Sequence, residues 1–99
     1  MNAWKINSLM NQHFPQYDFS KLSFVNVEGK PAVLASFLKS HIQSDDILVS
    51  MNRSVGARLS LSEAVEFIQV HIGTHNIRIS NRAFTQFVMV TINCTVVAI

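Results

Sequence analysis

The chain closes on FTQFVMVTINCTVVAI, Phe84 to Ile99, and the fold turns on how that stretch is read. From Val88 onward every second position is apolar: Val88, Val90, Ile92, Cys94, Val96 and Ala98. Met89, Thr91, Asn93, Thr95 and Val97 fall between them. A period of two among β-branched residues predicts a strand with one face buried and one half-exposed. No charged side chain follows Arg82. Such a strand would be adhesive at a sheet edge, and the Lys, Pro or bulge that usually guards an edge is not apparent. The expectation is an interior strand, or one paired with a second chain through Val88, Val90, Ile92, Thr95 and Val97.

Length sharpens the choice. The twelve residues from Phe87 to Ala98 would reach about 40 Å if unbroken. A compact chain of 99 residues fits a sphere only about 34 Å across. Either the strand kinks near Asn93 or its end crosses to a partner. A homodimer is the expected assembly.

Composition points the same way. Hydrophobic residues make up 48% and charged residues 14%, where about 25% charged is usual. That is a globular chain, expected to form a single domain over residues 1–99, with too little charge to cover its whole surface. The net charge of +2 is mild, and nucleic acid is a possible but disfavoured partner because the basic residues do not cluster. Cys94 is the lone cysteine, so no internal disulfide forms and nothing suggests an oxidising compartment. The opening MNAWKINSLMNQHF lacks the layout of a signal peptide. The apolar tail falls short of the about 20 residues a membrane span needs. A cytoplasmic location is expected.

Working back along the chain, Ala3, Ile6 and Met10 form a helical stripe that Pro15 ends. LSFVNV (Leu22–Val27) predicts a short strand, and Glu28, Gly29 and Lys30 a turn. Pro31 suits a first helical position, and Val33, Leu34, Phe37, Leu38, His41 and Ile42 recur at helical spacing. ILVSM (Ile47–Met51) reads as a strand covered on both faces. Were it a parallel neighbour of LSFVNV, the helix between them would be a crossover. Asn52–Leu59 is expected to be a loop. Ser60 and Glu63 match a capping box opening a helix with Leu61, Ala64, Val65, Ile68 and Ile72 on its buried side. NIRIS (Asn76–Ser80) alternates as a strand. The predicted class is α+β: a mixed sheet, helices mainly on one face, and an antiparallel pair at the C-terminus.

Chemistry is sparse. His71 and His75 have the spacing of helical metal ligands, but Gly73 lies between them and no carboxylate completes a set. No metal or cofactor is expected. Cys94 reads as a small hydrophobe on the strand's apolar face, and no catalytic residue is assigned. The arginines are the better lead, since guanidinium suits two-pronged contacts to phosphate or carboxylate. Arg53 and Arg58 share one loop, while Arg78 and Arg82 flank one connection. If both loops meet at one end of the sheet, the four form an anion site. Trp4, Phe14, Tyr17 and Phe19 could close a small apolar pocket. No motif is specific enough to assign a family. The reading is a non-enzymatic, homodimeric module that binds a protein or small ligand. Anion or nucleic-acid binding through the arginines is the alternative, and an enzyme built from dispersed His and Arg residues the third.

Overall fold

The terminal stretch is two strands. The structure, a computed structural model, describes Met1–Ile99 except for the side chain of Phe19. The chain runs along β5 (Phe87–Val90), reverses at Thr91–Cys94, and returns as β6 (Thr95–Ala98). The Cys94 amide donates to the Thr91 carbonyl (3.1 Å), and the Thr91 amide donates to the Thr95 carbonyl (2.8 Å). Cys94 takes the left-handed conformation that completes this kind of hairpin, φ 60°. The expected break near Asn93 is thus a full reversal. It resolves the length conflict, because the molecule measures only 29 × 28 × 26 Å.

Among the described residues the fold is α+β, with three α-helices and one six-stranded sheet. The first helix, α1 (Ala3–His13), is capped by the Asn2 side chain, which accepts from the Lys5 amide at 2.8 Å. It ends at Phe14, whose extended backbone is what a residue before proline requires. LSFVNV contributes only β1 (Val25–Asn26). The turn that follows uses Gly29 at φ 64° and hands over to α2 (Pro31–His41), with Pro31 at its start. Then come β2 (Ile47–Ser50), all four residues buried, and β3 (Gly56–Leu59). The capping box forms as predicted and opens α3 (Leu61–His71). β4 (Ile77–Asn81) completes the elements.

β3 corrects the expectation of a loop over Asn52–Leu59. Ala57 and Leu59 alternate and pair with Val49 and Ile47, but two apolar positions are too short a run to betray a strand. The Asn52 side chain makes the preceding turn, accepting from the Ser54 and Val55 amides at 2.8 and 2.9 Å.

The sheet order is β1-β6-β5-β4-β2-β3, and every pair is antiparallel. This corrects the expected mixed sheet. β1 and β2 do run the same way, as do β3 and β4, and a helix joins each pair. The returning hairpin and β4 insert between β1 and β2, and β2 separates β3 from β4, so no parallel neighbours remain.

One face carries α2 and α3. Leu34, Leu38, Ala64 and Ile68 pack on Ile47, Val49, Ile77, Ile79, Val88, Val90 and Val96. Each fully buried aliphatic side chain there contributes roughly 1.5–3 kcal/mol. The opposite face carries α1, whose Ile6 and Met10 close over Leu48 with Phe14 and Phe84 at the margin.

Candidate functional site

Alternation puts Leu48, Ser50, Arg78, Ser80, Phe87, Met89 and Val97 on the α1 face of the sheet. This face is less apolar than the other, and α1 spans only its β2–β3 side. The chain leaving α1 turns back over the remainder. The Phe14 ring meets Phe87 edge-on at 5.3 Å, and the Tyr17 hydroxyl donates to Met89 Sδ at 3.2 Å.

Arg78 rises between these two coverings. An Nη2–H donates to Asn7 Oδ1 at 3.2 Å, and the guanidinium carbon stands 6.0 Å from the centre of the Phe14 ring. Ser50 Oγ also donates to Asn7 Oδ1, at 3.4 Å. Because guanidinium has no acceptor, the Asn7 oxygen must face Arg78, and its Nδ2 donors face away. They make no hydrogen bond to any described residue.

Asp46 and Arg78 are the charged residues that are not fully exposed. Their circumstances differ. Asp46 accepts from Arg58 Nε and Nη2 at 2.6 and 2.8 Å and has Arg82 at 3.9 Å. The two-pronged bond from Arg58 holds its carboxyl below the usual value. Arg78 has no carboxylate within ion-pair distance among the described residues. Burial pushes its guanidinium below the usual value, and Tyr17 acts in the opposite direction. Arg78 is thus a partly dehydrated cation held by a neutral amide and a ring face.

The four arginines therefore do not assemble. Arg58, opposite Leu48 on the α1 face, and Arg82 share the single carboxylate of Asp46, Arg53 lies in the β2–β3 turn, and Arg78 forms an ion pair with no described residue. Of the aromatic set, Phe14 and Tyr17 touch, with ring centres 6.3 Å apart. Trp4 is 60% exposed on α1, and the Phe19 side chain lies outside the described residues. Val88, Val90 and Val97 are buried within the chain, Val88 and Val90 under α2 and α3, so they are not left for a partner. Thr95 is partly buried and Ile92 is exposed.

An open recess of about 420 Å³ lies at the hairpin end of the sheet, lined by Phe24, Asn76, Thr91, Ile92, Asn93 and Thr95. It has no charged lining. Asn76 Oδ1 accepts from the Ile92 amide at 2.8 Å, and the Thr91 and Thr95 hydroxyls pair at 2.6 Å. Among the described residues no group of three His, Cys, Asp or Glu side chains is placed to hold a metal ion. No helix is long and apolar enough to cross a membrane.

The sequence assigned no role to Asn7, Ser50, Phe24, Asn76, Thr91 or Asn93, and it gave Ile92 and Thr95 to a contact with a second chain instead of a recess. Asn7 offered one signal, a polar side chain beside the Ile6–Met10 stripe. Compared with protein-family models, curated proteins and solved structures, the chain matches none of them.

Proposed function

We propose that this chain is a binding module that captures an anionic ligand at Arg78. The observation that carries the proposal is the partly buried guanidinium without a carboxylate partner. Asn7 supports it because its oxygen is taken by Arg78 and Ser50 while its amide donors bond to no described residue. An anion seated there would gain charge-assisted hydrogen bonds in a partly dehydrated setting, where they are stronger than in water. The test is an amide-shift titration of the protein with sodium acetate and sodium phosphate at constant ionic strength. Saturable shifts at Asn7, Ser50 and Arg78, lost in Arg78→Gln, are expected. Shifts that follow ionic strength alone would remove the proposal.

A second reading, homodimerisation, is favoured by apolar side chains exposed at the hairpin end. Phe24, Val25 and Ile92 are 39%, 37% and 51% exposed, and β1 is a two-residue edge. Sedimentation equilibrium of the wild type and Ile92→Glu decides it. A monomer at every concentration ends this reading and leaves the first intact.

A further inference from the structure

Arg78 and the recess share one face of the sheet and lie one side-chain row apart. Arg78 pairs with Met89, and Met89 with Val97, so those three form a row across β4, β5 and β6. Asn76 precedes Arg78 by two residues and Thr91 follows Met89 by two, while Thr91 is bonded to Thr95. Asn76, Thr91 and Thr95 line the recess. Two residues along a strand is about 7 Å. Tyr17, whose hydroxyl rests on Met89 Sδ, stands at the junction.

We infer that the two features are halves of one site, and that its ligand is a monocarboxylate with an uncharged, apolar body. This rests on the anion-binding reading of Arg78. The carboxylate would sit against the guanidinium and the Asn7 amide donors, and the body would extend along the sheet into the recess between Phe24 and Ile92.

Three features select this class over a phosphate. The positive end holds one guanidinium, and Tyr17 is the titratable neighbour that acts on it. A single charge of planar, two-pronged geometry matches one carboxylate, whereas a phosphate carries up to two charges. The flanking rings of Phe14 and Tyr17, with Met89 buried beneath Tyr17, offer apolar surface and no second cation. The recess lacks charged lining, and its volume falls in the range of small-molecule sites.

The test is a titration panel followed by amide shifts: 4-phenylbutyrate, acetate, 4-phenylbutanol and phenyl phosphate. 4-Phenylbutyrate is expected to bind at least tenfold tighter than each of the others, shifting residues at both Arg78 and Thr91–Thr95. Arg78→Gln should reduce it to the level of 4-phenylbutanol. The pair Phe24→Ala and Ile92→Ala, both outside the cores, should reduce it to the level of acetate. Arg78→Lys keeps the charge without the fork and should also weaken it. Acetate binding as tightly as 4-phenylbutyrate, or phenyl phosphate binding more tightly, would overturn the ligand class while leaving anion capture standing. No saturable binding by any of the three anions would remove both.

Discussion

Phe84 and His13 lie ring on ring, centres 4.7 Å apart and planes 26° from parallel, while the Phe84 backbone is left-handed at φ 55°. A side chain in that conformation costs roughly 1–2 kcal/mol. The ring offsets this by packing at the margin of the Ile6, Met10 and Leu48 cluster. The β4–β5 turn is thereby fastened to the end of α1. Phe84→Ala and Phe84→Gly both lose the ring, but only glycine relieves the backbone. Urea unfolding should find Phe84→Gly more stable than Phe84→Ala by about 1 kcal/mol. Equal losses would mean that the turn stores no strain.

Cys94 holds the corresponding position in the β5–β6 turn, at φ 60°, with a smaller side chain to compensate. Cys94→Gly is expected to raise stability by about 0.5–1 kcal/mol, the relieved strain less the extra freedom of the unfolded chain. Cys94→Val, β-branched in the same conformation, is expected to lower it. Thermal unfolding of the two variants beside the wild type reads both outcomes. A loss in Cys94→Gly contradicts the hairpin geometry.

The same cysteine explains why the reversal was illegible. Cross-strand partners share a face, and Val90 and Val96 are partners six residues apart. An even separation carries the period of two straight through the turn, so the pattern reads as one strand. The usual markers, Asn-Gly or Asp-Gly, are replaced by Asn93-Cys94. By contrast, the buried faces of α2 and α3, the Ser60–Glu63 box and the doubly covered β2 followed from local periodicity and capping. The weak α1 stripe gave no hint of which face it covers. That Asp46 gathers Arg58 and Arg82 while Arg78 has no ion pair among the described residues is a tertiary outcome that no spacing in the sequence encodes.

Gly56 is held open by backbone. A Cβ there would stand 2.9 Å from the Val49 carbonyl oxygen and 3.7 Å from Ala3 Cα, at the start of α1. Neither is the flexible end of a side chain. Gly56→Ala should therefore destabilise by about 1–3 kcal/mol, the usual cost of overpacking. Amide exchange should show faster opening in β3 and the first turn of α1. A neutral result would mean that the Val49 carbonyl gives way without cost.

The start of α3 makes stability depend on pH. The Ser60 backbone amide, then its hydroxyl, hold the Glu63 carboxyl below its usual 4.5. Below that value the unfolded chain takes up a proton that the folded chain resists, so acid favours unfolding. The contribution of Glu63 is present above about pH 4.5 and fades as pH falls through its folded value. Comparing Glu63→Ala with the wild type by urea unfolding should show the variant weaker at pH 7, with the gap narrowing toward pH 3. Ser60→Ala should cost about 1 kcal/mol at pH 7 through the lost cap. A gap that widens in acid would mean that Glu63 is not bonded as its charged form.

Arg78 separates binding from stability. A structural cation loses its folding role when replaced, whereas a receptor cation loses only its ligand. Its links within the chain are one bond to Asn7 and a ring contact with Phe14. Arg78→Met keeps the apolar stem against that ring and removes a charge that no carboxylate offsets. Its stability without ligand should lie within about 1 kcal/mol of the wild type. With 4-phenylbutyrate at ten times its dissociation constant, the wild type should gain about 1.4 kcal/mol and Arg78→Met close to nothing. Urea unfolding with and without the compound measures both quantities on the same samples. A loss of more than about 3 kcal/mol in the unliganded variant would make Arg78 part of the scaffold, and the site at the α1 face would lose its receptor.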